Sequence, residues 1–449
     1  MKKIFQYIML AVVTIVMASC TSDIEETTTT TGKNNVQLIV GEFPAFGDSQ
    51  TRAIGTPDEG KTSWAEGDEL LLVIDNTFYG KQYATFTYND KSWKLTSGEL
   101  VYREGDPAYI PHVYYAPNYK WEAGKLVLKE GKDPGTDEYI EGNARITGNS
   151  ETITVSFAEA TRKYSRLRIA TLPNEQITVD TEYFTPAGSS DMEQEGNYTL
   201  TSDEKGNAYL YGTFENNSEV TVKYREAALT THTFSQATES AKSYALDATV
   251  ISANSAEEIK SAIEQKVADG KTTIRLNLAP NAGTDEFMAI REAIKGAAPN
   301  DEGTIELTII GVETIPEEAF KRMSQLKSVK MPDVKEIKKY AFSECQYLTV
   351  VEAPSLNKLN SGAFNECYLL SKLTFGPINY ADARYWQIFE DITPNIDLIL
   401  SDYQKEMIET DDNLYTANND IDYADSNKHW NKNFLGREFK SITCRFKVE

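Results

Sequence analysis

A 22-residue pattern recurs in the second half of the chain as AFKRMSQLKSVKMPDVKEIKKY (319–340), AFSECQYLTVVEAPSLNKLNSG (341–362) and AFNECYLLSKLTF (363–375). One copy is too small to bury its own apolar side chains, whereas stacked copies share a continuous core. The sequence therefore predicts a stack of short strands. Four further columns keep the same step: Leu307, Val329, Val351 and Leu373; Ile309, Met331, Ala353 and Phe375; Leu326, Leu348 and Leu370; and Met323, Cys345 and Cys367.

The repeat carries a family signature as well as a period. The spacing Leu326-x-x-Val329-x-Met331-Pro332 is typical of leucine-rich repeats. The Ala-Phe pair, the cysteine column and the proline that ends the strand resemble the BspA-like leucine-rich-repeat family. This resemblance implies an α/β leucine-rich-repeat solenoid, with N- and C-terminal caps, over residues 251–449.

The flanks of the repeats predict those caps. Ser255-Ala256-Glu257-Glu258 is a capping-box arrangement that begins an amphipathic helix, and a second helix is predicted over 284–295. Strands are predicted at 274–278, 304–309 and 396–400. Trp430 and Phe439–Ile442 resemble the closing segment that follows such repeats, and a cap is expected because an open end exposes the core and a strand edge.

Alternation along the repeat strands assigns a candidate binding face. The side chains that point away from the core are predicted to be Ser328, Lys330, Val350, Glu352, Lys372 and Thr374. If the stack binds a protein or glycan, this sheet face is the expected surface. The alternative is an ordinary polar face on which Lys330 and Glu352 pair across neighbouring strands at little net energy.

The region before the repeats predicts β-sandwiches. Residues 36–248 are rich in Thr, Tyr, Val and Gly, with short alternating stretches at 36–40, 84–88, 152–157 and 219–224 and no long helix signal. The length suits two all-β sandwiches. We place the boundary before the strand at Thr152, which gives domains of residues 36–148 and 149–250.

Short motifs in this region resemble fimbrillin-like (Mfa-like) proteins. They are Thr51-Arg52-Ala53, the segment Ser63–Leu70, and Phe157 followed by Ser165–Ile169, which resembles the strand opening the second sandwich of that family. The histidine that usually follows the phenylalanine is absent. The resemblance implies proteolytic processing after Arg52, loss of the strand 36–40 and assembly of fimbrial subunits by strand exchange. The alternative is an arginine in an ordinary loop.

The N-terminus resembles that of bacterial lipoproteins. Two lysines precede an apolar run too short to span a bilayer, and Met17-Ala18-Ser19-Cys20 resembles a lipobox. The resemblance implies a signal peptide over 1–19, lipidation of Cys20 and anchoring in the outer membrane at the cell surface. Residues 20–35 are polar and threonine-rich, which predicts a flexible tether. The alternative is an ordinary signal peptide with a cysteine nearby by chance.

Composition excludes several classes of partner. A formal net charge of −23 argues against nucleic acid and against electrostatic binding to anionic lipid. Three separated histidines and the absence of recognisable catalytic or metal-binding motifs predict no enzyme, no metal and no cofactor. Cys345 and Cys367 fall one rung apart, which allows a disulfide by distance or a ladder of core thiols.

An aromatic cluster provides one further alternative. Tyr109, Tyr114, Tyr115, Tyr119 and Trp121 could form a sugar-stacking platform, or could be core-facing strand residues. The sequence therefore leads to three hypotheses. The first is a cell-surface lipoprotein for adhesion to, or recognition of, a protein or glycan through its leucine-rich repeats. The others are a fimbrial structural or accessory subunit and a glycan-capturing accessory lipoprotein.

Overall fold

The computed structural model of the 449-residue chain describes residues 25–26, 36–48, 60–77, 80–100, 111–148, 153–157, 160, 162–225, 227–253, 255–381, 388–392, 394–401, 433–435 and 437–446. The chain divides into two compact units. Unit 1 comprises residues 1–223 and 230–248, and unit 2 comprises residues 224–229 and 249–449.

The first nineteen strands, in chain order, are β1 Glu25–Glu26, β2 Val36–Val40, β3 Gly47–Asp48, β4 Glu69–Asn76, β5 Gly80–Asn89, β6 Ser92–Gly98, β7 His112–Tyr115, β8 Tyr119–Glu122, β9 Lys125–Leu128, β10 Ile140–Asn143, β11 Arg145–Gly148, β12 Ile153–Phe157, β13 Ser165–Ala170, β14 Gln176–Pro186, β15 Glu193–Thr201, β16 Asn207–Phe214, β17 Glu219–Tyr224, β18 Ala227–Thr233 and β19 Lys242–Asp247. They are followed by β20 Ile251–Ser252, α1 Ala256–Ala268, β21 Thr273–Asn277, α2 Thr284–Ala297, β22 Ile305–Ile310, β23 Thr314–Ile315, β24 Leu326–Lys330, β25 Glu336–Ile337, β26 Val350–Ala353, β27 Lys358–Leu359, β28 Lys372–Phe375, β29 Tyr380–Ala381, β30 Asp397–Ser401, β31 Asn433–Phe434, β32 Arg437–Glu438 and β33 Ser441–Phe446.

Unit 1 contains a sandwich of two sheets. One sheet has the strand order β1-β2-β12-β11 and the other has the order β10-β7-β4-β5-β6. The two sheets share one core, in which Leu38 and Val155 of the first lie with Leu72 and Phe86 of the second, all essentially inaccessible to solvent. Alternate residues of the longer strands, such as Ala84, Phe86 and Tyr88 of β5, point into this core, as the period of a half-buried strand requires.

The predicted boundary between residues 148 and 149 is wrong. Strand β12 pairs in parallel with β2 over five residues and antiparallel with β11, and Val155 and Phe157 are buried in the core of this first sandwich. The strand therefore completes the first sandwich and does not open a second. Its alternating pattern marks a strand but carries no information on which distant strand is its partner.

The second half of unit 1 forms one continuous sheet of order β18-β17-β14-β16-β13-β19-β3, with β15 also paired to β14. Strand β14 joins two neighbours along one edge, since residues 178–181 pair with β17 and residues 184–186 pair with β16. Between these segments Tyr183 has a positive φ of 49°, a conformation that interrupts a regular strand. The strands of the second predicted sandwich thus belong to a single continuous hydrogen-bonded sheet.

Unit 2 is a stack of parallel strands. Its main sheet has the order β20-β21-β22-β24-β26-β28-β30-β33, and every neighbouring pair is parallel. The register joins Leu307 to Val329, Val329 to Val351 and Val351 to Leu373, so the 22-residue columns are adjacent rungs. All four predicted columns lie in the buried core, which confirms the stack.

The α/β class predicted for the repeats is corrected by the structure. The described residues of the chain contain two helices, α1 and α2, and both precede the repeats. Within the repeats, turns connect the main sheet to a second parallel sheet of two-residue strands, β23-β25-β27-β29. A 22-residue copy that supplies two strands and their turns has too few residues left for a helix of ordinary length, about 11 residues.

The two helices close the N-terminal end of the stack. Ser255 caps α1, because its hydroxyl accepts a hydrogen bond from the Glu258 N–H at 3.3 Å. Phe287 of α2 packs edge-on against Phe320, the first of the repeated phenylalanines, with ring centroids 5.6 Å apart. Neither helix within the described ranges is long and apolar enough to cross a bilayer. The predicted closing residue Trp430 lies outside the described residues.

Candidate functional site

The candidate site is the outward face of the main parallel sheet in unit 2. The strand register aligns its side chains in two rows across six strands: Glu306, Ser328, Val350, Lys372, Asp397 and Ser441 in one, and Thr308, Lys330, Glu352, Thr374, Ile399 and Thr443 in the other. All six residues predicted from the sequence are among them. Each of the six is half-buried, whereas its neighbours Val329, Val351 and Leu373 are fully buried.

Charges of opposite sign alternate across this face. The Glu352 carboxylate lies between Lys330 and Lys372, with N–O distances of 3.6 and 3.7 Å. Farther along the sheet, Lys440 Nζ lies 3.1 Å from Asp397. These side chains are 31–57% exposed, so each pair contributes at most about 1 kcal/mol to stability. The pairing of Lys330 with Glu352 considered from the sequence is present in the structure.

The turn side of the stack provides a comparison surface. Arg322 contacts Glu344 at 2.7 Å, and Lys335 contacts Glu313 at 2.6 Å. Each of these pairs joins residues one repeat apart, and their side chains are 24–69% exposed. They offer the same side-chain chemistry as the sheet face on a different side of the repeats, which makes them a matched control for tests of binding.

The cysteine column consists of thiols inside the core. Cys345 and Cys367 are fully buried and not disulfide-bonded, and each Sγ donates to a backbone carbonyl of the preceding repeats, Phe320 O and Phe342 O, at 3.0 Å. Burial raises the pKa of Cys345 to about 12 and that of Cys367 well above its usual value. Both thiols therefore stay protonated and act as packing groups.

The predicted aromatic platform is only partly assembled. Tyr115 and Tyr119 are buried, and the Tyr115 hydroxyl donates to Asp68 Oδ1 at 2.9 Å. Tyr114 and Trp121 are half-buried, with ring centroids 5.9 Å apart. The sequence missed Tyr83, whose ring centroid lies 4.8 Å from that of Trp121. Its only signal was an outward position in an alternating strand.

Several predicted positions lie outside the described residues. These are the lipidation site Cys20, the processing site Arg52 and Tyr109. Among the residues that the structure does describe, no group of three or more His, Cys, Asp or Glu side chains is placed to hold a metal ion.

The geometry of unit 2 defines a class, a parallel stack of leucine-rich repeats. Residues 304–402 match the family model described as BspA type Leucine rich repeat region (6 copies), which confirms the BspA-like resemblance for that stretch. No curated protein matches the chain.

Five chains of solved structures match this chain, and two of them are as follows. A putative cell adhesion protein from Bacteroides fragilis is 9% identical, with 48% of this chain and 93% of that chain covered and a TM-score of 0.29. The minor pilin of Streptococcus agalactiae is 11% identical, with 48% and 94% covered and a TM-score of 0.17. At these scores neither likeness bears on the fold or the function of this chain.

Proposed function

We propose that the protein is a non-enzymatic cell-surface lipoprotein that adheres to, or recognises, a protein or glycan through the outward sheet face of its repeats. The observation that carries the proposal is the pair of aligned rows on that face. Their residues differ from strand to strand while the buried columns keep the same type. A surface of varied polar, charged and apolar groups on a rigid sheet suits recognition.

The lipid anchor remains part of this proposal. Its support is the lipobox-like sequence that ends at Cys20, followed by a polar tether. Brief treatment of intact cells with a protease is the direct test, and loss of full-length protein is expected. Protection of the chain until the outer membrane is permeabilised would place it in the periplasm and remove the adhesion proposal.

Binding through the sheet face is tested by replacing two matched sets of charged residues with alanine, one set on the sheet face and one on the turn side. We expect the triple variant Lys330→Ala, Glu352→Ala, Lys372→Ala of the full chain to lose adhesion to immobilised host-cell and bacterial surface extracts. The control is Arg322→Ala, Lys335→Ala, Glu344→Ala, which removes two basic groups and one acidic group from the turn side. Equal adhesion by both variants and the native chain would show that this face is not the binding surface.

Assembly by strand exchange is the second candidate function. Strand β2 pairs over its whole length with β12, and Leu38 and Val40 fill the core between the sheets. Its removal after cleavage at Arg52 would leave a groove for a strand of a second copy. A surface form of the protein that begins at Ala53, together with ladders of linked subunits, is the result that favours this candidate.

A further inference from the structure

A cleft on the outer face of the first sandwich has the features of a ligand site. It has a volume of about 580 Å³ and lies between the sheet β4-β5-β6 and the hairpin β8-β9. This size falls within the range of small-molecule sites, about 300–1,000 Å³. The outward residues Tyr83, Thr85 and Thr87 of β5 form its floor, and their inward neighbours Ala84 and Phe86 belong to the core.

A β-bulge directs a hydroxyl group into this cleft. The register between β5 and β6 shifts between Thr85 and Phe86, so that Thr96 is the extra residue of β6. The Thr96 hydroxyl consequently lies 2.8 Å from the Thr87 hydroxyl and 3.2 Å from the Thr85 carbonyl oxygen, to which it donates. Bulges are common beside binding sites because they re-aim side chains in this way. The result is a pair of adjacent hydroxyls in an exposed part of the floor.

Two aromatic rings form a corner at the wall of the cleft. Tyr83 and Trp121 are half-buried, with ring centroids 4.8 Å apart and planes inclined at 58°. Trp121 is held there by the hairpin, whose two-residue turn Ala123-Gly124 has positive φ at both positions, the geometry that suits two tightly connected strands. The faces of aromatic rings are electron-rich and attract the polarised C–H groups of a sugar ring.

The charges of the lining are balanced. Lys129 lies 3.2 Å from Glu69 within the cleft, and Lys120 lies 3.4 Å from Glu122 at its rim. Each lysine therefore has a carboxylate partner, and the site presents no excess of positive or negative charge. An uncharged ligand that offers both hydroxyl groups and apolar C–H faces matches this combination of paired charges, threonine hydroxyls and aromatic rings.

We propose that this cleft binds a short neutral oligosaccharide, with a sugar ring stacked in the corner of Tyr83 and Trp121 and hydrogen-bonded to Thr87 and Thr96. The site uses Trp121 of the cluster noted in the sequence, but it replaces the buried Tyr115 and Tyr119 by Tyr83 and the threonines. It lies in unit 1 and does not depend on recognition by the repeats. The two proposals can therefore fail independently, because variants of the cleft test this site and variants of the sheet face test recognition by the repeats.

The test starts from the full chain on a glycan array that carries neutral oligosaccharides of glucose, galactose, mannose and N-acetylglucosamine. The best neutral hit is then titrated by calorimetry against the native chain and the double variant Thr87→Val, Thr96→Val. Valine keeps the shape of threonine and removes the hydroxyl, so folding is retained. We expect about ten-fold weaker binding in the variant, since two hydrogen bonds are lost.

A matched threonine pair outside the cleft provides the control. The hydroxyls of Thr221 and Thr231 lie 2.9 Å apart on neighbouring strands of unit 1, and the double variant Thr221→Val, Thr231→Val is expected to leave sugar binding unchanged. The proposal would be overturned by any of these results: no neutral glycan bound on the array, native-like binding by Thr87→Val, Thr96→Val, equal weakening by the control double variant, or tighter binding of trigalacturonate than of any neutral trisaccharide. Binding of an unglycosylated peptide in place of the sugars would likewise reject it.

Discussion

Phe342 shows how much of the stability of the repeats depends on single side chains. Its ring stacks between Phe320 and Phe364, with centroid distances of 5.2 and 5.5 Å and interplanar angles of 18° and 6°. Phe389 continues the column at 5.9 Å from Phe364. A change at one ring therefore removes contacts in the two adjacent repeats as well as in its own.

We expect Phe342→Ala to lower the free energy of unfolding by about 3–5 kcal/mol, because the cavity forms in a fully buried column. Leu369→Ala is the matched control, since that leucine is 52% exposed and its loss should cost below about 0.5 kcal/mol. Urea unfolding followed by circular dichroism measures both. Similar losses for the two variants would show that the column does not carry the stability.

The stability of the first sandwich is expected to depend on the protonation of His112. Its two ring nitrogens lie 3.3 Å from Glu141 Oε2 and 2.8 Å from Asn143 Oδ1. The hydrogen bond to Glu141 raises the pKa of His112 above 6.5, although burial opposes the shift, and the bond to His112 lowers the pKa of Glu141 below 4.5. The protonated imidazole can donate to both oxygens, whereas the neutral ring can donate to one.

Because folding raises the pKa of His112, the protonated histidine stabilises the folded chain. This contribution is fully present below the unfolded-state pKa of about 6.5 and is lost as the pH rises through the folded-state pKa. We therefore expect the native chain to exceed His112→Gln in unfolding free energy near pH 6, by at most about 1 kcal/mol for a partly exposed pair. The difference should shrink towards pH 9, and Glu141→Gln should abolish it. A difference that grows with pH would contradict the assignment.

Among the elements, the turns of the repeats share an unusual backbone. Glu318, Tyr340 and Gly362 all have positive φ, and they are spaced by the repeat length. Gly362 has in addition a close neighbour, since a Cβ atom there would lie 2.3 Å from the ring of Tyr340. Glycine relieves both the backbone strain and the steric conflict at this turn.

We expect Gly362→Ala to destabilise the stack by more than Gly270→Ala does. Both positions have positive φ, at 69° and 73°, and alanine there costs about 1–2 kcal/mol. Gly270 has no atom within 4 Å of its would-be Cβ, whereas the clash at Gly362 adds about 1–3 kcal/mol. Thermal unfolding of the two variants compares them. Equal shifts in Tm would mean that Tyr340 moves aside without cost.

The elements differ in how well their sequence predicts them. Strand β24 was predicted together with its neighbours, because the repeat that marks it also fixes the strands beside it. Strand β12 was recognised as a strand but assigned to the wrong sandwich, since its partner β2 lies more than a hundred residues earlier. The hydroxyl of Thr96 could not be placed in a cleft at all, because its position depends on a one-residue shift against β5.

At the scale of the whole molecule, the stack should tolerate the loss of one complete copy. Removal of residues 341–362 would bring Phe364 to Phe320 and Leu373 to Val329, with the main sheet still in register. We expect this variant to fold with a lower Tm and a single cooperative transition for unit 2. Circular dichroism and calorimetry provide the measurement.

A deletion of half a copy, residues 341–351, is the control for that prediction. It shifts every later column out of phase, so inward residues such as Leu373 no longer meet Val329 and the later strands should not form. If both deletions were tolerated equally, the columns would not be the organising feature of unit 2.

The phase of the repeats also has a genetic consequence. Because the buried columns are equivalent from copy to copy, unequal recombination between two copies of the coding sequence preserves the core of the stack. Ser328, Val350 and Lys372 occupy equivalent outward positions but differ in chemistry, so the same event changes the exposed surface. Selection can therefore lengthen, shorten or reshuffle this face of the protein without first assembling a new interior.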